Sequence, residues 1–254
     1  MEALDQPANL IFPTGTHMKL AKIFCSFFAL TVFLGNLAIA QRYGEKHSVA
    51  LVVQRQGQPP AVASDERVRA HLEQRGFTVK IVDQTDPASL TDGVDIILIS
   101  SSVSAKKLEG KYRQTRIPVV LWESYLLPHM GMSGLREEVD YGTIQERRYA
   151  WLVNAPHPLS AGHPAGLLNL YEKNAALNWG RPGLGANIIA TVPGERDKAL
   201  VFAYEAGATM DYENLAPGAR VFLPVDATFP NLNEAGLSIF DSAVQWALAR
   251  RTSK

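Results

Sequence analysis

Apolar runs of strand length recur along the chain after residue 47, separated by segments whose apolar residues have helical spacing. Residues 49–53 form an unbroken apolar run rich in valine, which favours a strand buried on both faces. Alternating apolar residues at 77–82 predict a second strand, and mainly apolar runs at 95–99 and 119–122 predict a third and a fourth. Alternation of strand and helix is typical of a parallel sheet, and right-handed crossovers then favour the spatial order 2-1-3-4.

Three segments have the pattern of helices. Residues 64–73 are expected to form a helix with Ser64 as its N-cap, because their apolar residues lie four apart and a glycine follows. Residues 106–115 favour a short helix. Asn233 is expected to open a last helix that runs to about residue 250 and docks on the sheet through one apolar face.

The second half of the chain has shorter apolar runs, which predict strands at 148–153, 185–192, 198–203 and 220–225. Residues 154–185 are rich in Pro, Gly, His and Asn and are expected to form a long irregular excursion. We find no internal repeat and no linker. Residues 41–254 are therefore predicted to form a single α/β domain, with a mainly parallel central sheet and helices on both faces.

An export signal is predicted at residues 18–40. Lys19 and Lys22 precede an uncharged apolar run at 23–34, and a small-x-small motif at 38–40 suits cleavage by signal peptidase. The run is too short to cross a bilayer as a stable helix, which needs about 20 residues. An uncleaved anchor and a buried core helix are the alternatives. Residues 1–17 are interpreted as an extension from a start codon placed too early.

The protein is accordingly expected to be secreted or periplasmic in a bacterium, beginning at or near Gln41, with no stable membrane insertion after cleavage. Cys25, the only cysteine, lies inside the predicted signal. The expected mature chain therefore has no disulfide, no cysteine nucleophile and no thiolate metal site. The chain carries 25 basic and 25 acidic residues without a basic block, which argues against nucleic acid as a partner.

Five segments carry a resemblance to known proteins: DIILISSSVS at 95–104, PVVLWE at 118–123, APHPLSAG at 155–162, WGRPG at 179–183 and AYEAG at 203–207. The chain resembles a group of uncharacterised domains of bacterial secreted proteins, over about residues 47–250. More distantly it is similar to the trehalose-utilisation (ThuA-like) proteins and to the class I glutamine amidotransferase-like fold. This resemblance implies a flavodoxin-like sheet with helices on both faces. It does not imply amidotransferase chemistry, because that superfamily uses a cysteine nucleophile.

Polar residues that follow predicted strands are the candidate ligand site, because ligands of open parallel sheets bind beyond the carboxyl ends of the strands. Ser101 and Ser102 follow the third strand, where hydroxyls bind an anion or a sugar, or merely cap a helix. Trp122 and Glu123 follow the fourth strand. An indole beside a carboxylate suits a sugar platform or a general base, and a Glu paired with an arginine is the alternative.

Tyr204 and Glu205 follow a strand of the second half and allow the same two interpretations. His157 lies in the Pro-rich excursion, where a loop histidine bonded to the backbone is the simpler interpretation. The spacing of His157 and His163 does not match a zinc site, so no metal and no cofactor are predicted. We expect Ser101, Glu123 and either His157 or Glu205 to line a common pocket.

These patterns favour a non-catalytic or degenerate module that binds carbohydrate, cell-envelope material or another small molecule. The alternative is a cysteine-independent hydrolase or isomerase that acts on a sugar, with Glu123 or Glu205 as acid or base. Two carboxylates facing one pocket favour the enzyme, whereas scattered carboxylates paired with arginines favour the module.

Overall fold

One mixed sheet organises the computed structural model, which describes residues 42–251. Within that range its eleven strands are β1 Ser48–Val53, β2 Thr78–Asp83, β3 Ile96–Ile99, β4 Val119–Leu121, β5 Tyr141–Arg147, β6 Tyr149–Leu152, β7 Gly166–Asn169, β8 Ala175–Gly180, β9 Asn187–Val192, β10 Glu195–Tyr204 and β11 Arg220–Phe222. The α-helices there are α1 Pro59–Gln74, α2 Ala105–Leu108, α3 Leu127–Met130 and α4 Glu234–Leu248. The predicted signal at 18–40 and the extension at 1–17 lie outside the described residues. From residue 42 to residue 251, no helix is long and apolar enough to cross a membrane.

The first half of the sheet is parallel. Its order is β2-β1-β3-β4-β11, and each neighbouring pair runs in the same direction. The predicted order 2-1-3-4 is therefore confirmed. Strands β1, β3 and β4 consist almost entirely of fully buried residues, which explains why their sequences are continuous apolar runs rather than alternating ones.

The second half of the sheet is antiparallel, so the prediction of a mainly parallel sheet is wrong for that half. Strands β11, β10, β9, β6 and β7 pair antiparallel in that order, and β8 pairs antiparallel with both β5 and β10. The physical reason is the length of the connections. Only Pro193 and Gly194 separate β9 from β10, and a two-residue turn joins antiparallel strands only. The prediction of a long irregular segment at 154–185 is also wrong, because this segment contains β7 and β8.

Helices cover both faces of the sheet, as predicted. Residues of α1 and α4 belong to one apolar core, and residues of α2 and α3 belong to the other. The last helix is close to its prediction, with the Asn233 side chain accepting a bond from the Gly236 N–H at 2.9 Å. Two helix predictions are wrong. Helix α1 begins at Pro59, so Ser64 is a buried interior residue and not a cap. The helix expected at 106–115 has only the four residues of α2.

A polar network joins α1 to α4 on one face of the sheet. Asp241 on α4 accepts hydrogen bonds from Tyr43 at 3.0 Å and from Arg75 Nε at 2.9 Å, and it lies 2.6 Å from His71 Nε2. Burial raises the pKa of Asp241, but the hydrogen bonds and charges of His71 and Arg75 outweigh this and leave the pKa below its ordinary value. The carboxylate of Asp241 is therefore a partly buried, paired charge between the two main helices.

Candidate functional site

Three adjacent parallel strands bring Ser101, Glu123 and Asp226 to one edge of the sheet. Strand β4 lies between β3 and β11, and the last residues of the three strands are in register. Ser101 comes two residues after β3, Glu123 two residues after β4, and Asp226 four residues after β11. Because the carboxyl ends of parallel strands share one edge, these three residues lie at the same end of the sheet. That Ser101 and Glu123 line a common pocket stays a prediction.

Glu123 is a nearly buried carboxyl group without a cationic partner. Its exposed fraction is 9%, and Oε1 accepts one hydrogen bond, from the Tyr125 N–H at 3.0 Å. Within residues 42–251, Oε2 accepts no hydrogen bond, and this oxygen is accessible to solvent. Burial raises the pKa of Glu123 to about 8, and the charge of Asp226 adds to that increase. Glu123 is therefore mostly protonated at neutral pH, with one oxygen free to meet a ligand.

Asp226 is the second carboxyl group of this site. Burial raises its pKa, whereas the Ala227 N–H and the Ser101 hydroxyl bond to the carboxylate and oppose the increase. No arginine or lysine contributes to its pKa or to that of Glu123. Burial therefore raises the pKa of both carboxyl groups, and the hydrogen bonds to Asp226 partly oppose that increase.

Asp226 is a candidate site residue that the sequence analysis missed. The predicted strand at 220–225 ended directly before it, so the rule that selected Ser101 and Glu123 would also have selected Asp226. The predicted spatial order covered only the first four strands and did not place the strand at 220–225. The structure places β11 next to β4 and parallel to it, which brings Asp226 into the site.

Asn178 on β8 fixes the backbone beneath the two carboxyl groups. This buried side chain donates to the Trp122 carbonyl at 2.6 Å and to the Val225 carbonyl at 3.2 Å, and it accepts from Thr143 at 2.7 Å. Trp122 and Val225 each directly precede one of the site carboxyls. The antiparallel half of the sheet therefore holds the position of a site that lies on the parallel half.

The rim beside Glu123 is aromatic and acidic. The ring of Tyr125 is 38% exposed and meets Tyr141 edge to face at 5.5 Å between centroids. Its hydroxyl donates to Glu137 at 2.9 Å. This hydrogen bond, burial and the charges of Glu137, Glu138 and Glu123 raise the pKa of Tyr125 to about 12.

Trp122 and Tyr204 are structural residues and do not face a ligand. Trp122 is 1% exposed and packs edge to face on Phe240 of α4, so it cannot form the expected sugar platform. Tyr204 is fully buried, and its hydroxyl donates to the Met132 carbonyl at 2.9 Å and accepts from the Gly183 N–H at 2.7 Å. Both predicted binding roles are therefore wrong, because the strand ends that carry these side chains point them into the core.

Glu205 and His157 lie together, but at the opposite edge of the sheet from Glu123. Strand β10 runs antiparallel to β11, so the end of β10 lies beside the start of β11. Glu205 Oε2 accepts from Arg250 Nε at 2.6 Å, and Arg250 stacks over Trp246 at 3.8 Å. His157 contacts the same Trp246, and burial followed by the charge of Arg250 lowers its pKa. The common pocket expected with Glu123 is therefore not formed by these two residues.

Ser102 serves the loop rather than the carboxyl pair. Its hydroxyl accepts from the Gln54 N–H at 3.1 Å and also bonds to Asp65, while the neighbouring Ser100 hydroxyl donates to Asp65. Asp65, a buried residue of α1, was not predicted. The serine run thus anchors α1 and the end of β1 through its first and third members, and only Ser101 reaches Asp226.

Metal ligands are not grouped in the part of the chain that the structure describes: no three His, Cys, Asp or Glu side chains there could hold an ion. His163, the second histidine of the excursion, lies 2.9 Å from the Ser238 hydroxyl on α4. This contact ties the loop to helix α4 rather than to the Glu123 site.

Comparison with known proteins places this geometry within a known fold. No protein-family model matches the chain, and no curated protein matches it significantly. Among solved structures, the chain is similar to a GMP synthase-like protein from Thermoplasma acidophilum, with a TM-score of 0.52 and 13% identity over 81% of this chain and 96% of that one. It is also similar to a ThuA-like protein from Bacteroides uniformis, with a TM-score of 0.51 and 11% identity over 81% of this chain and 92% of that one. The chain therefore has the α/β fold that glutamine amidotransferase-like and ThuA-like proteins share.

Proposed function

We propose that the chain is an exported domain that binds a small ligand at the carboxyl ends of β3, β4 and β11, through Ser101, Glu123 and Asp226. The observation that carries this proposal is Glu123 itself. A carboxyl group that is 9% exposed, with a pKa raised to about 8 and no cationic partner, destabilises the fold. Such a group is characteristic of a functional site rather than of a structural ion pair.

Ligand chemistry follows from the groups that face the site. Carboxyl oxygens and a serine hydroxyl are groups that bind sugar hydroxyls, and Tyr125, whose N–H bonds to Glu123, is a partly exposed aromatic residue. This supports carbohydrate or cell-envelope material as the ligand class. Export is proposed from the pattern at residues 18–40, which agrees with ligands of that kind.

Amidotransferase chemistry is not part of this proposal. Residues 42–251 contain no cysteine, and the residue at the strand-to-helix turn after β4 is Glu123, with φ −99° and ψ 106°. These angles are ordinary extended backbone, in contrast to the strained turn that exposes a nucleophile in strand–turn–helix hydrolases. Fold similarity alone does not transfer an activity.

An enzyme that acts on a sugar is the second candidate function. The observation that favours it is Glu123, a carboxyl group that burial and the neighbouring charge of Asp226 keep protonated at neutral pH, as a general acid requires. In that case, hydrolysis or isomerisation would fall as pH rises through the Glu123 pKa of about 8. Glu205 is not proposed as the acid or base of this enzyme, because it is paired with Arg250 at the opposite edge of the sheet.

The test is a screen of the purified protein against glycans, monosaccharides and cell-envelope fragments, repeated with Glu123→Gln. We expect the variant to weaken binding of any ligand found by roughly tenfold or more, since the carboxyl group that meets the ligand is replaced by an amide. Glu205→Gln is the matched control, a carboxyl change that leaves this site intact. Ligands that bind Glu123→Gln as tightly as the parent protein, while Glu205→Gln weakens them, would place the site elsewhere. Turnover of a glycoside or aldose that is lost in Glu123→Gln identifies the enzyme.

A further inference from the structure

We propose that a second cavity, lined by the segment after α2, by helix α3 and by the start of β5, binds a small organic anion through Arg113, His129 and Tyr141. The anion is a carboxylate or a phosphate ester attached to an apolar group. The cavity has a volume of about 440 Å³. Small-molecule sites commonly have volumes of this size. Its lining residues do not include those of the Glu123 site, so this inference goes beyond the proposed function and does not rest on it.

Three hydrogen-bond donors that line this cavity have no partner within residues 42–251. The guanidinium of Arg113, the imidazole of His129 and the hydroxyl of Tyr141 belong to partly buried residues, and none of these groups forms a hydrogen bond or an ion pair there. A guanidinium, a tyrosine hydroxyl and an imidazole in either tautomer each supply at least one donor. An anion that accepts from them forms charge-assisted hydrogen bonds that the protein itself does not make.

Arg113 is positioned by packing and through its backbone, so its guanidinium remains available to a ligand. A Cβ added at Gly131, the residue directly after α3, would lie 3.3 Å from Arg113 Nη2, which shows that the guanidinium packs against the backbone there. The buried Arg220 donates to the Arg113 carbonyl at 3.3 Å and to the Thr115 carbonyl at 2.5 Å. These bonds hold the segment that carries Arg113, as a pre-organised binding site requires.

Acidic groups do not cancel this set of donors. Glu109 is the single acid among the residues that line the cavity, and its side chain is exposed. Burial, followed by the charges of Glu137 and Asp140, raises the pKa of Tyr141, so its hydroxyl keeps its proton and remains a donor. Both of these acids are already engaged, because Glu137 accepts from a neighbouring tyrosine hydroxyl at 2.9 Å and Asp140 pairs with Arg136 at 3.0 Å.

The cavity also has an apolar wall. Leu135 is 63% exposed and lines it together with Pro128 and Tyr141. A ligand that covers these side chains removes apolar surface from water, which favours binding. An anion with an aromatic or aliphatic body therefore fits the lining better than inorganic phosphate does.

The experiment titrates benzoate, phenyl phosphate and the neutral benzamide into the full protein at pH 7, with ligand-observed NMR as the readout. We expect at least one of the two anions to bind roughly tenfold or more tightly than benzamide, because hydrogen bonds to a charged group are stronger than neutral ones. The tighter of the two anions identifies the site as one for a carboxylate or for a phosphate ester.

Two variants and a matched control locate the binding. Arg113→Gln should weaken anion binding roughly tenfold or more and remove the preference over benzamide. Tyr141→Phe, which loses only the hydroxyl, should weaken it severalfold. Arg116→Gln makes the same change of charge at an exposed residue that does not line the cavity, and it should leave binding unchanged.

Thermal unfolding of the same variants separates a ligand role from a structural one. If Arg113→Gln unfolds at a lower temperature but binds both anions as tightly as the parent protein, Arg113 only packs against Gly131 and the inference is wrong. It is also wrong if benzamide binds as tightly as the anions, if none of the three compounds binds, or if Arg116→Gln weakens binding as much as Arg113→Gln. Should Arg113→Gln fail to fold, unchanged anion binding by Tyr141→Phe overturns the inference.

Discussion

Glu123→Gln is expected to stabilise the protein at pH 8 by about 3 kcal/mol. The folded state raises the Glu123 pKa from 4.5 to about 8, so the folded chain holds a proton that the unfolded chain releases above pH 4.5. Parental stability therefore falls as pH rises from there towards 8. At pH 8 the parent protein has lost about 4 kcal/mol of its free energy of unfolding. The Gln variant avoids this loss, but burial of its neutral amide costs about 1 kcal/mol. Gln also keeps an oxygen for the Tyr125 N–H.

Urea unfolding of both proteins at pH 5 and pH 8 measures the effect. The advantage of the variant should be small at pH 5 and large at pH 8. Glu205→Gln is the matched control and should lose up to about 1 kcal/mol, because it breaks a half-exposed ion pair with Arg250. A Glu123→Gln variant that is less stable than its parent at pH 8 would show that Glu123 is a paired structural residue.

Asp241→Asn is expected to destabilise the protein at pH 7 by about 3 kcal/mol, because it removes the carboxylate that His71 and Arg75 share between α1 and α4. The sign of the pH dependence is opposite to that of Glu123. The folded pKa of Asp241 lies below its ordinary value, so the stabilisation is present at neutral pH and is lost as pH falls through that folded pKa.

Thermal unfolding of Asp241→Asn and its parent between pH 3 and pH 7 should therefore show a difference in unfolding temperature that becomes smaller towards pH 3. Glu66→Gln on the exposed side of α1 breaks an ion pair with Arg69 of 2.8 Å and should leave the unfolding temperature nearly unchanged, because exposed ion pairs contribute little. Equal losses for Asp241→Asn and Glu66→Gln would mean that the α1–α4 network contributes no more than a surface pair.

The parallel half of the sheet is predictable from the sequence, and the antiparallel half is not. Strands β1, β3 and β4 are buried on both faces, so their apolar runs are unbroken and their order follows from crossover handedness. Strand β5 has a mostly half-buried or exposed pattern, and β7 has no fully buried residue, so neither has a hydrophobic signature that separates it from a loop.

The site could be predicted only where the strand direction was right. Ser101 and Glu123 follow strands whose direction the sequence indicates correctly, so both lie at the same end of the sheet. Glu205 also follows a strand, but β10 runs the other way, and the sequence contains no local signal for that reversal beyond the Pro193–Gly194 turn. Trp122 shows a second limit: its neighbour Glu123 faces the site, while Trp122 points into the core, because successive side chains of extended backbone face opposite ways.

The pKa of Glu123 is the most direct test of a ligand site at the ends of β3, β4 and β11. It is measured by titrating the carboxyl ¹³C signals of Glu123 and Asp226 in the parent protein and that of Glu123 in Asp226→Asn. We expect Glu123 to titrate near pH 8 in the parent protein and at a lower pH in Asp226→Asn, because the neighbouring charge is removed. A Glu123 signal that titrates near pH 4.5 in the parent protein would contradict the account.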